Sequence, residues 1–135
     1  MFSEAYKNLC IENAEKLREE WEPKYGDWAW RRDVGEFTLT ASQAMIVKGE
    51  SFPAIWLPTP RQLIRMLEER GYGFCLYYNR RENKYWLEAG CDKADWRELH
   101  VGRCLAYEIQ SEGPHPETAL LRCLMEVMKD DATLP

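Results

Sequence analysis

The chain has 135 residues, of which 45% are apolar and 13% aromatic, and its 23 acidic against 18 basic side chains leave a net charge of −5. A chain of this length fits one domain with a substantial core, and its hydrophobic content excludes the disordered class, which joins low hydrophobicity to high net charge. The acidic balance counts against duplex binding, which needs a basic face for phosphates, and the sequence has neither a long apolar run nor a leading basic-then-apolar segment to indicate membrane or export.

In chain order, Phe2, Tyr6, Leu9, Cys10, Ala14, Leu17 and Trp21 recur at helical spacing and predict a first helix from about Ser3 to Glu20, which Pro23 blocks from continuing. Trp28 and Trp30 then share one face of a strand. A turn at Arg32-Asp33-Val34-Gly35 leads to a second strand bearing Phe37 and Leu39. Ala44 to Val47 reads as a third short strand and Ile55-Trp56-Leu57 as a fourth, so that residues 24–57 form a small antiparallel meander needing an apolar cover.

The clearest local chemistry lies between Trp56 and Gly90. Thr59, Pro60 and Gln62 form a capping box around a proline at the first helical position, and Gly71 suits the left-handed residue that closes the helix, with Tyr72 packing back on Leu67. A hairpin follows. Phe74, Leu76 and Tyr78 point one way and, across the polar turn Asn79–Asn83, Tyr85, Leu87 and Ala89 point the same way; the opposite face carries Cys75, Tyr77 and Trp86. Both faces are therefore partly apolar, as in a sheet covered on two sides or on one side plus a partner.

Residues 91–99 are polar, with one turn of helix around Trp96. Arg103 to Gln110 alternates as an edge strand that Gly113-Pro114 ends. A last helix begins near Pro116 with a stripe of Leu120, Leu121, Leu124, Val127 and Met128, and the final five residues are predicted loose. The sum is an α+β chain: a single compact domain over residues 1–135, in which an N-terminal helix and aromatic meander (1–57) precede a helix–hairpin–strand–helix unit (58–135) whose small antiparallel sheet is layered with helices.

The order of motifs is also familiar. Trp21-x-Pro23-x-x-Gly26-Asp27-Trp28, then Ile55-Trp56-Leu57-Pro58-Thr59 leading into Gln62-Leu63, resembles small uncharacterised phage and prophage proteins of Gram-positive bacteria. From the aromatic hairpin to Pro116-Glu117-x-Ala119-Leu120 the pattern is similar to the phage ABA-sandwich domain. The resemblance implies a sheet layered with helices and a bacterial cytoplasmic setting, and it implies no catalytic residue.

Cys10, Cys75, Cys91, Cys104 and Cys123 are odd in number and never in a C-x-x-C pair, which fits a reduced cytoplasm. With His100 and His115 they could assemble a mixed zinc site, but no ligand-pair spacing supports one; small buried thiols and surface imidazoles are the simpler reading. Neighbouring carboxylates such as Glu68-Glu69 face apart on a helix, and phosphate-cradling glycine motifs are missing, so the reading is non-enzymatic, with no cofactor. By residue count 58–90 carry +2 whereas 1–57 carry −3 and 91–135 carry −4, so the central unit alone is basic. Within it Arg61, Arg65, Tyr77, Arg80, Arg81, Lys84 and Trp86, with Tyr78 beside them, make a candidate binding face. Arg, Tyr and Trp are favoured anchors at protein interfaces, which points to another protein, or a second copy, as the partner. The alternative is single-stranded nucleic acid, with charges tracking the backbone and rings stacking bases. The bland reading is a solvated helix face and rings covered by helices.

Overall fold

The computed structural model describes residues 2–49, 53–91 and 109–133, with backbone alone for Cys91 and for 130–133. It is an α+β protein whose described residues form two three-stranded antiparallel sheets, and the chain divides into two compact units, Met1–Thr59 and Pro60–Pro135.

In the first unit Ser3 caps α1 (Glu4–Glu12), its side chain accepting from the Tyr6 N–H at 3.2 Å. The predicted single helix is in fact two. Asn13 breaks the run because its Nδ2 donates to the Leu9 carbonyl at 2.8 Å, a local bond that competes with the helical ladder, and α2 (Ala14–Glu20) restarts beyond it. The apolar stripe survives the break, with Tyr6, Cys10, Leu17 and Trp21 all buried.

Strands β1 (Trp28–Arg31) and β2 (Gly35–Thr38) pair with Ala29 opposite Phe37 and Trp30 opposite Glu36, and β3 (Ile55–Trp56) pairs on the other side of β1, giving the order β2-β1-β3. Period-two alternation therefore puts Trp28, Trp30, Glu36 and Ile55 on one face and Ala29, Phe37 and Trp56 on the other. Phe2 meets Trp28 edge-on and Lys7 lies 3.4 Å from the Glu36 carboxylate, so α1 covers part of the first face. Buried Asp27 organises the loop after α2, accepting from the Trp21 indole N–H and the Lys24 amide, each at 3.0 Å.

The strand expected at Ala44–Val47 is a helix, α3 (Ala41–Ile46). Thr40 accepts from the Gln43 N–H while the Gln43 side chain accepts from the Thr40 N–H, a complete capping box that outweighs the apolar run. No residue inside α3 is buried, and Met45 and Ile46 are exposed; only the following Val47 enters the core.

The second unit opens with α4 (Pro60–Glu69), which ends at Gly71 with φ +80°. β4 (Tyr72–Asn79) and β5 (Lys84–Cys91) form the predicted hairpin in the predicted register, Phe74 opposite Ala89, Leu76 opposite Leu87 and Tyr78 opposite Tyr85. β6 (Ile109–Gly113) pairs on the far side of β5, and α5 (Pro116–Thr133) follows. Of the strand expected at Arg103–Gln110, only Ile109 and Gln110 fall among the described residues, and β6 runs on past them to Gly113; the turn around Trp96 lies outside the described residues. The last helix reaches Thr133, so Asp131 to Thr133 are helical rather than loose.

Helices α4 and α5 pack on each other and on one face of this sheet. Leu63 and Leu67 from α4, Leu120, Leu121 and Leu124 from α5 and Leu87 and Ala89 from β5 are all buried, and Ser111 ties β6 to α5 by donating to the Ala119 carbonyl at 2.8 Å. Burial of each such leucine contributes roughly 2 kcal/mol. Gly113 permits a close approach, because a Cβ at that position would lie 2.7 Å from the Thr118 Cβ.

Candidate functional site

With the helices against Phe74, Leu76, Leu87 and Ala89, alternation leaves the outer face of the second sheet to Cys75, Tyr77, Lys84, Trp86, Glu88, Gln110 and Glu112. No described element of this unit packs on it. Cys75 is exposed, Tyr77 is 43% exposed, and Trp86 is half-buried.

The polar groups on this face hold one another. Lys84 lies 3.3 Å from the Glu82 carboxylate and 3.0 Å from that of Glu112, and its Nζ sits 5.3 Å from the centre of the Trp86 ring. The hydrogen bond that the Lys84 ammonium donates to Glu112 holds its proton more tightly than is usual for lysine. Trp86 donates its indole N–H to Glu82 at 3.2 Å, and the Tyr77 hydroxyl reaches Glu88 at 3.5 Å. Two carboxylates therefore flank one ammonium, and a third, Glu88, lies further along the strand beside Tyr77.

The seven predicted site residues fall in three places. Tyr77, Lys84 and Trp86 meet on the outer face. Arg80 and Arg81 are exposed in the turn at its end, where the Asn79 side chain accepts from the Arg81 N–H at 3.0 Å and Asn83 adopts φ +53°. Arg61 and Arg65 are exposed on α4, which packs on the opposite side of the sheet, so they do not join the others. Tyr78 lies on the helix-facing side but is 47% exposed near the hairpin tip, where its ring meets Tyr85 at 5.1 Å and its hydroxyl bonds Asn83.

Sequence reasoning missed the acidic partners. Glu88 was legible, since it stands two residues beyond Trp86 on the same strand. Glu112 was not, because it reaches the face only through the pairing of β6 opposite Trp86.

The thiols and imidazoles give no comparable centre. Cys10 and Cys123 are buried and burial pushes both thiols up to about 12, far from thiolate chemistry. His115 is exposed ahead of α5; His100 and Cys104, and the side chain of Cys91, lie outside the described residues. Among the described residues no group of three or more His, Cys, Asp or Glu side chains is placed to hold a metal ion, and no helix is long and apolar enough to cross a membrane.

No protein-family model, no curated protein and no solved structure matches the chain.

Proposed function

We propose that this protein is a non-enzymatic binding protein, and that it docks another protein on the outer face of its second sheet. The observation that supports this is a half-exposed Tyr77 and Trp86, hydrogen-bonded to Glu88 and Glu82 with Glu112 nearby on Lys84, on a face that no described element of the second unit covers. Tyr and Trp supply rigid contact area at low entropic cost, and the surplus negative charge selects a partner presenting lysine or arginine. A second copy of this chain is a poorer fit, because like faces brought together oppose their own glutamates.

Two eight-residue strands and one of five, at about 3.3 Å per residue and about 4.8 Å spacing, give this face roughly 330 Å². That is about two-fifths of the ~800 Å² each side contributes to a standard interface, so the contact is transient or draws in the Arg80-Arg81 turn as well.

Single-stranded nucleic acid remains the second reading, supported by the rings and by the two turn arginines. Against it, the rings that would stack bases are hydrogen-bonded to glutamates, which repel phosphate. The motif order of the sequence supports a phage or prophage setting in a bacterial cytoplasm, which the genes on either side would test.

The experiment is site-specific photocrosslinking in the native host. A photoreactive phenylalanine at Tyr77 is expected to capture a discrete protein that the same group at Arg61, on the other side of the sheet, does not. Capture of the same species from both positions, or of none from Tyr77, sinks the reading. Steep, salt-sensitive oligonucleotide binding abolished by Arg80→Glu with Arg81→Glu would favour nucleic acid instead.

A further inference from the structure

The first unit holds a cavity of about 500 Å³ between α2, β1, the β1–β2 turn and β3. That volume falls within the roughly 300–1,000 Å³ of small-molecule sites. Among the described residues Trp30, Pro53 and Ile55 give it apolar walls, and Glu15, Arg18, Arg31, Arg32 and Asp33 bring charge to it.

These charges are not equivalent. Arg31 is committed to Asp33, with Nε 3.3 Å from Oδ1 and Nη2 donating to Oδ2 at 3.3 Å, so the two cancel. Arg18 directs Nη2 at the carbonyls of Val47, Lys48 and Gly49, at 3.3, 2.5 and 3.3 Å. Those bonds fix the guanidinium in place, yet carbonyls carry no net charge, and among the described residues no carboxylate forms an ion pair with it. Arg32 is exposed in the turn and makes no hydrogen bond or ion pair with a described residue. With Arg31 and Asp33 set aside, Arg18 and Arg32 outnumber Glu15 by one.

We propose that this cavity binds a small aromatic monoanion, its ring against Trp30 and its carboxylate or similar planar anionic group held by Arg32 with Arg18 beside it. A guanidinium presents parallel N–H groups that match a carboxylate edge, and an aromatic wall favours a flat ring over a branched chain. The single excess positive charge matches one anionic group rather than a di- or triphosphate. This proposal stands apart from the sheet face of the second unit and neither depends on it nor supports it.

The test is calorimetric titration of the full chain with naphthoate and with its uncharged amide, naphthamide. Naphthoate is expected to bind saturably and naphthamide about tenfold more weakly, since the amide keeps the ring and loses the charge. Arg32→Glu, at an exposed position, is expected to leave the unfolding midpoint unchanged and to remove naphthoate binding. The Trp30 indole N–H resonance, assigned by its loss in Trp30→Phe, is expected to move with the same saturation curve. Equal affinity for acid and amide, unchanged binding by Arg32→Glu, a motionless Trp30 signal or no saturable binding at concentrations up to about 5 mM each overturns the proposal.

Discussion

Two buried oxygens make opposite predictions. Asp27 is buried and doubly used, taking hydrogen bonds from the Trp21 indole and the Lys24 amide, so Asp27→Ala strands two donors and is expected to cost about 2–4 kcal/mol in denaturant unfolding. Thr118 is buried as well, but its hydroxyl has no partner among the described residues. Thr118→Val keeps the shape and removes the orphan, so its unfolding midpoint is expected to hold or rise, by up to about 1 kcal/mol. The buried thiols add a pH dependence whose sign is fixed. Cys10 and Cys123 sit near 12 in the folded state, so between about pH 9 and 12 the unfolded chain releases protons that the folded chain keeps. Stability therefore falls as pH rises through that window, by up to about 1.4 kcal/mol per pH unit for each thiol. Lys7 and Lys84, which hold their protons more tightly than ordinary lysines, add to the loss only above about pH 10.5. Urea melts at about pH 8 and 10 should differ accordingly, and Cys10→Ala with Cys123→Ala should flatten the difference while lowering stability at both. Alkylation with peptide mapping should find Cys75 modified in the native protein and Cys10 and Cys123 only after unfolding.

Among the elements, the β4–β5 hairpin was readable because its two patterns agree: a polar turn fixes the register, and that register puts Phe74, Leu76, Leu87 and Ala89 on one side. The N-terminal helix was readable as a stripe but not as two pieces, because the break at Asn13 depends on which backbone group a short amide side chain chooses. At α3 the run Ala44-Met45-Ile46-Val47 mimicked a strand, although Thr40 and Gln43 already stood three apart in capping order. The cap outweighs the apolar run, because it satisfies backbone groups that a short isolated strand would leave open. Thr40→Ala is accordingly expected to destabilise by about 1 kcal/mol, with backbone exchange fastest across Ala41–Ile46, because no residue inside this helix is buried to hold it otherwise. The same logic explains the candidate site. The sequence showed where the basic and aromatic residues lay along the chain; it did not show that α4 covers the inner side and carries Arg61 and Arg65 away from Tyr77 and Trp86.

For the molecule as a whole, an overall charge of −5 concealed a local arrangement: Arg80, Arg81 and Glu82 at the hairpin tip and, on the adjoining face, Lys84 held by Glu112 with Glu88 further along. With a basic protein partner, association is expected to slow several-fold between about 50 and 500 mM salt while dissociation changes less. Glu88→Gln with Glu112→Gln should reproduce much of that slowing at low salt, as stopped-flow measurement with the photocrosslinked partner would show. Even with Glu82 counted at the tip, Arg80 and Arg81 leave it positive while Glu88 and Glu112 lie further along the ribbon, and such a gradient does something that a uniform patch cannot. It exerts a torque on an incoming charged body, turning it so that its own negative end swings toward Arg80 and Arg81, and thereby selects one heading along the strands before any atoms touch.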